Sequence, residues 1–201
     1  AVLKPDGSPA DGKDGTATSP LFGGGVLGQG FGIGRDPSGN IWAGNFGWGG
    51  VNPVGSVSKF SSEGEALSPS PNGYVSNLDR VQGTASDQDG NIWMASYGNS
   101  RIQVFPGGDP NTSYPYYSDA NTEPFHIMID DDGAAYVSYT GTSYLSKFTF
   151  AADEITKVDS APIGTNANPK GIGLDSTGHV WATAGAESKV YLFDSNLDPI
   201  G

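Results

Sequence analysis

The chain has 201 residues, no cysteine, and 22 Asp plus Glu against 10 Lys plus Arg, for a net charge of −12. The missing thiol excludes disulfides, thiolate nucleophiles and cysteine-held metals. So acidic a chain repels nucleic-acid phosphates and anionic lipid, whose binding needs Lys and Arg; a cationic protein or a metal ion suits the sign better, and solubility is the ordinary reason for such acidity. With 31 glycines and 14 prolines, no stretch of about 12 residues keeps the i, i+3, i+4, i+7 apolar spacing of a helix, whereas short alternating runs between turn residues are common. No apolar run approaches the ~18–20 residues of a membrane span, so no transmembrane segment is expected. The fold class is all-β.

Residues 1–10 read as the end of a third strand, a turn and a fourth strand, the phase repeated by Val190 to Ile200 at the other end. The sequence begins at Ala1 rather than Met, which reads as processed, trimmed or partial. Residues 1–29 form a leading strand and loop; Gly23 to Gly25 and Gly28 to Gly32 lack the following helix and the spacing of a phosphate cradle. A phrase then recurs four times: Gly-Ile-Gly-Arg-Asp-Pro-Ser-Gly-Asn-Ile-Trp-Ala from Gly32, with counterparts from Gly83, His126 and Gly171. Its aspartates, Asp36, Asp87, Asp130 and Asp175, recur at intervals of about 43 to 51 residues, close to the roughly 40–50 residues of a propeller blade.

Each repeat predicts a four-stranded blade. Ile33 and Arg35 lie on an inner strand, and Asp36 to Gly39 turn the chain into Asn40 to Ala43. Aspartate accepts backbone N–H groups two residues on, and the fourth-place glycine takes the left-handed conformation of the hairpin loop. Third strands follow at Ser56 to Phe60, Arg101 to Phe105, Leu145 to Phe148 and Lys189 to Phe193, with a fourth strand at Glu65 to Leu67. Trp42, Trp93, Tyr136 and Trp181 occupy one position of the second strand and are expected between neighbouring blades; the small first-strand residues suit close backbone approach near the axis. The repeats run over about 30–80, 81–123, 124–168 and 169–201, one β-propeller domain over 1–201.

Phrases such as Pro169-Lys170-Gly171-Ile172-Gly173-Leu174-Asp175-Ser176-Thr177-Gly178-His179-Val180-Trp181-Ala182 and Val57 to Gly64 resemble the NHL-repeat and streptogramin-lyase-like (virginiamycin B lyase-like) propellers over about residues 30–200. That group includes lyases, lactonase-like hydrolases and non-catalytic binding modules, usually with six or seven blades. Four NHL-like blades imply either a closed four-bladed ring, with the N-terminal strand completing the last blade, or part of a larger six- or seven-bladed propeller. An open arc would bare two apolar sheet faces, so closure is expected.

Ligands are expected on the face carrying the loops before first strands and between second and third strands. That face carries Asn45, Phe46 and Trp48, then Tyr97 and Asn99, then Tyr139 and Thr142, then Glu187, beside the long connections 17–31, 68–82, 107–125 and 159–170. Phe46, Trp48, Tyr97 and the run Tyr114-Pro115-Tyr116-Tyr117 are the candidate partner-binding residues, because aromatics in loops give contact area at low entropic cost; the structural alternative has them folding over a blade edge. Glu123, His126 and Glu187 are the alternative ligand site of an enzyme. The streptogramin lyases are characterised by a His and metal-binding carboxylates on that face, and here only Glu187 offers a carboxylate in the second-strand loops. Asp87 to Asn91 and Asp130 to Gly133 look like the start of a calcium loop but lack its bidentate Glu and coincide with the hairpin turn. No catalytic residue, metal or cofactor is assigned. The expected function is a non-catalytic protein-binding propeller, a periplasmic or secreted subunit of a multi-subunit assembly; a metal-assisted lyase or lactonase-like enzyme is the alternative.

Overall fold

The computed structural model describes residues 3–8, 25–26, 30–47, 54–119 and 122–201. Among these there is no α-helix, and the strands form four antiparallel sheets. The first joins β1 (Gly30–Arg35), β2 (Ile41–Asn45) and β3 (Ser56–Phe60). The second runs β4 (Val81–Ser86), β5 (Ile92–Ser96), β6 (Arg101–Phe105) and β7 (Tyr114–Tyr117). The third runs β8 (Pro124–Ile129), β9 (Ala135–Tyr139), β10 (Tyr144–Ala151) and β11 (Glu154–Pro162), and the last joins β12 (Pro169–Leu174), β13 (Val180–Ala184) and β14 (Lys189–Phe193). In the first and last sheets the fourth strand shrinks to an isolated bridge, Phe60 with Ala66 and Phe193 with Pro199. The predicted third strands match the observed ones, β10 being longer than expected.

The hairpin turns form as their sequence dictates. Oδ1 of Asp36, Asp87, Asp130 and Asp175 accepts the N–H four residues on, at 2.8, 2.9, 2.8 and 3.1 Å. Gly39, Gly90, Gly133 and Gly178 sit at φ between 81° and 87°, where a side chain is strained. Oδ2 of each aspartate also accepts from the aromatic six residues on: Trp42 Nε1 at 2.9 Å, Trp93 Nε1 at 3.1 Å, the Tyr136 hydroxyl at 3.2 Å and Trp181 Nε1 at 2.9 Å.

Three apolar clusters lie between successive sheets. Trp42 packs with Ile92 and Met94 of the next sheet, Trp93 with Ile127, Ala135 and Val137, and Tyr136 with Ile172, Val180 and Ala182. All three aromatics are fully buried. Near the axis the inner strands approach so closely that a Cβ on Gly83 would stand 2.8 Å from the Phe125 carbonyl oxygen.

Two expectations need correction. The inner strands neighbour one another in sequence, β1 with β4, β4 with β8 and β8 with β12. No comparable packing joins the fourth sheet to the first among the described residues, so no closed four-bladed ring is found there, and the described sheets form the kind of arc that part of a larger propeller would form. Trp181 therefore does not pack between blades: it is 44% exposed, with no following sheet over it among the described residues.

Candidate functional site

Each inner strand carries an irregularity at the same place, between Gly30 and Ile33, Val81 and Gly83, Pro124 and Ile127, and Pro169 and Ile172. A bulge inserts backbone that the partner strand does not match and re-aims a side chain. The residues so placed are Phe31, Gln82, Phe125 and Lys170, one from each sheet. All four line one cleft of about 370 Å³ together with Phe46, Tyr97, Glu123, Thr140 and Asn168. They also line an adjoining hollow of about 260 Å³ that reaches Ile33, Thr84, His126 and Gly171.

The wall of this mouth is aromatic. Ring centroids run Phe31 to Phe46 at 5.2 Å, Phe46 to Tyr97 at 5.9 Å and Tyr97 to Phe125 at 6.4 Å, tilted or edge-on throughout, the arrangement ring quadrupoles favour. Two cations flank it: the Arg80 guanidinium lies 5.6 Å from the Tyr97 centroid and Lys170 Nζ 5.8 Å from that of Phe125. Residues just before the inner strands are left-handed, Arg80 at φ 50°, Glu123 at 55° and Asn168 at 46°. Non-glycine residues persist there only where their surroundings hold them. Glu123 is held by Thr140, whose N–H donates to the Glu123 carbonyl at 3.0 Å and whose Oγ1 donates to Oε2 at 3.2 Å. Burial, then the hydrogen bond to Glu123 and the charge of that carboxylate, push the Tyr97 hydroxyl up, so it stays a neutral donor. The side chain of Gln82 is 7% exposed, and its Oε1 has no hydrogen-bond partner among the described residues. The mouth thus offers apolar contact area and charges of both signs within one concavity, a combination suited to recognition.

The predicted site residues fall in separate places. Phe46, Tyr97 and Glu123 converge on the mouth, while Trp48 lies outside the described residues. Tyr114, Tyr116 and Tyr117, expected in a loop, form the outer strand β7 instead. Tyr114 packs 5.7 Å from Phe150 and Tyr116 5.0 Å from Phe148, over the edge of the third sheet. Tyr117 is 66% exposed, with the Arg101 guanidinium 4.7 Å from its ring. Tyr116 and Tyr117 share a second groove of about 280 Å³ with Tyr139, Tyr144 and Lys157.

His126 reaches the inner hollow, but its Nδ1 accepts the Ile172 N–H at 3.1 Å, tying β8 to β12. That bond puts the proton of the neutral ring on Nε2, and burial lowers the pKa, keeping the ring neutral. Glu187 lines neither the mouth nor the hollow. Its carboxylate accepts from the Tyr191 hydroxyl and from the N–H groups of Thr165 and Asn166, at 2.7, 2.7 and 3.3 Å. These bonds, in that order, hold its pKa down at about 2. The set Glu123, His126 and Glu187 is therefore not assembled in one place. No group of three or more His, Asp and Glu side chains placed to hold a metal occurs among the described residues, and none of the helices there is long and apolar enough to cross a membrane. Sequence reasoning missed Phe31, Gln82, Phe125 and Lys170. They form one column, immediately before Gly32, Gly83, His126 and Gly171, in which phenylalanine alternates with glutamine and lysine.

No family model matches the chain, and no curated protein does. Solved structures do. A catalytically inactive variant of virginiamycin B lyase from Staphylococcus aureus, with quinupristin, superposes with a TM-score of 0.65 at 20% identity over 85% of this chain and 54% of that one. A protein assigned provisionally as a 6-phosphogluconolactonase, from Bacteroides uniformis, gives 0.63 at 15% identity over 84% and 55%. The extracellular domain of a proposed one-component system from B. thetaiotaomicron gives 0.60 at 16% identity over 85% and 23%. The fold is that of a streptogramin-lyase-like propeller, and the chain spans about half the length of the lyase structures it matches.

Proposed function

We propose that the chain is a non-catalytic binding propeller that recognises a protein segment at the axial mouth. The observation that carries this reading is the convergence of one bulge residue from each sheet, Phe31, Gln82, Phe125 and Lys170, on a cleft already walled by Phe46 and Tyr97. Aromatic anchors in a concavity commonly dominate binding energy. The net charge of −12 suits a partner of opposite sign. A periplasmic or secreted setting within a larger assembly belongs to the same proposal, supported by the likeness to an extracellular domain.

The enzyme reading is weaker for a specific reason. A general base needs a free lone pair toward its substrate, and His126 spends that of Nδ1 on the Ile172 N–H while Nε2 carries the proton. Capture from cell-envelope extract by immobilised protein, compared between wild type and Phe125→Ala, tests the binding reading: a specific partner retained by wild type and lost by the variant is expected. Turnover of quinupristin or of a simple lactone by wild type, abolished by His126→Ala, would reverse the assignment.

A further inference from the structure

The groove beside β7 has no counterpart at the interfaces on either side of it, and strand register shows why. Gln103, Ser146 and Tyr191 are equivalent, each standing immediately before the residue that pairs with the second-strand aromatic of its own sheet. Gln103 Nε2 donates to the Ser76 carbonyl at 2.6 Å, in the connection between the first and second sheets. The Tyr191 hydroxyl donates at 2.7 Å to Glu187, whose carboxylate also holds the N–H groups of Thr165 and Asn166, in the connection between the third and fourth. Ser146 is too short to reach that far, and its hydroxyl lies 3.0 Å from that of Ser160 on the adjacent strand. A short side chain in the place of a long one leaves the gap between the second and third sheets open, and the groove of about 280 Å³ lies there.

The same sheet departs from the repeat at a second place. Tyr139 and Tyr144, paired across β9 and β10, stand where the other sheets pair Asn45 with Ser56, Ser96 with Arg101 and Ala184 with Lys189. Tyr139 is buried, with its hydroxyl 3.3 Å from Ser118 Oγ, whereas Tyr144 is 42% exposed. In all, four tyrosines, three serines and two threonines line the groove with Lys157 and Asp119, and no aliphatic side chain does.

That lining selects among ligands. A proline-rich peptide would find aromatic area but no aliphatic wall for its side chains. A pyranose ring needs weakly polar surface against the C–H groups of its faces and, around its edge, partners that both donate and accept. Phenol rings supply the first, and tyrosine and serine hydroxyls the second. Lys157 has no ion-pair partner among the described residues and adds further donors. Only one carboxylate, Asp119, lines the groove, whereas glycoside hydrolysis ordinarily takes a pair, so the chemistry on offer is retention without cleavage.

We propose that this groove is a saccharide-binding site, with Tyr144 against the face of a pyranose unit and Ser146, Ser160 and Lys157 on its hydroxyl rim. The site is separate from the mouth, since no residue lines both.

An array of defined oligosaccharides of neutral hexoses and of hexuronates, probed with the full chain and followed by calorimetric titration of each hit, tests the proposal. At least one should bind with a dissociation constant below about 1 mM. Tyr144→Ala should weaken that binding at least ~tenfold with an unchanged circular-dichroism spectrum. Ser146→Gln, which gives this interface the filler its neighbour has in Gln103, should abolish it; if that variant fails to fold, Tyr144→Ala decides alone. Phe125→Ala, at the mouth, should leave saccharide affinity unchanged, so this proposal and the reading of the mouth fail separately. An array without a hit overturns the proposal, and so does a hit whose affinity survives Tyr144→Ala. A proline-rich peptide bound in a Tyr144-dependent way, with no saccharide bound, overturns it in favour of a peptide groove.

Discussion

The indole Nε1 of Trp93 donates to Oδ2 of Asp87 at 3.1 Å, joining the tip of one hairpin to the aromatic at the centre of an interblade cluster. The same aspartate uses Oδ1 to accept the N–H groups of Asp89 and Asn91. One carboxylate thus fixes a turn and orients the ring that the next sheet packs on, which gives a physical reason for the fixed spacing from Asp to the aromatic in all four repeats.

This coupling makes the Trp93 series informative. Trp93→Phe keeps most of the buried ring but leaves Asp87 short of a donor, for an expected cost of about 1–3 kcal/mol. Trp93→Ala also opens a cavity and should cost about 3–5 kcal/mol. Urea denaturation measures both; a Trp93→Phe variant as stable as wild type would mean the hydrogen bond contributes nothing beyond packing.

Glycine at the inner strands separates covered from open positions. Gly83→Ala drives a Cβ against the Phe125 carbonyl oxygen and the Ile127 nitrogen, at 2.8 and 3.0 Å, and should cost about 1–3 kcal/mol because backbone yields poorly. Gly173→Ala meets nothing within 4 Å. It should be neutral or slightly stabilising by thermal unfolding. Equal losses at the two positions would contradict the open arc.

The tyrosines of β7 should divide by role. Tyr116→Ala removes a ring packed 5.0 Å from Phe148 and should destabilise by about 1–3 kcal/mol. Tyr117→Ala removes a mostly exposed ring and should stay within about 0.5 kcal/mol of wild type. Denaturation midpoints of the two variants compare them directly.

His126 gives the stability a pH dependence near neutrality. Burial depresses its folded pKa, so between that value and the ordinary ~6.5 the unfolded chain binds the proton more readily. Stability is fully present above about pH 6.5 and declines as pH falls toward the folded value. His126→Asn, which keeps an acceptor for the Ile172 N–H, should flatten this slope between about pH 7 and 5.5. An unchanged slope in urea titrations at those two pH values would assign it to other groups.

Much of the architecture was legible because the repeat combines turn chemistry with period-2 strands. Asp36 to Gly39 and their three counterparts specify a hairpin locally, and the third strands follow from alternation alone. Closure was not legible: whether Trp181 is covered depends on a neighbouring sheet, which the local repeat does not specify. Tyr114, Tyr116 and Tyr117 looked like a loop because Pro115 and the polar flanks hide the strand, although β7 is an outer strand, where proline is tolerated. The mouth was half visible. Phe46, Tyr97 and Glu123 were found from their loops, but Phe31, Gln82, Phe125 and Lys170 follow no single residue type, two being phenylalanine and two polar, and only the bulge that re-aims them makes them one site.

The central claim, recognition at the mouth through its bulge residues, is most directly tested by the affinity of the captured partner, once purified, for immobilised wild type, Phe31→Ala, Phe125→Ala and His126→Asn. The account predicts at least ~tenfold weaker binding for each phenylalanine variant, with unchanged circular dichroism and unaltered affinity for His126→Asn. Full affinity in Phe31→Ala and Phe125→Ala would contradict it.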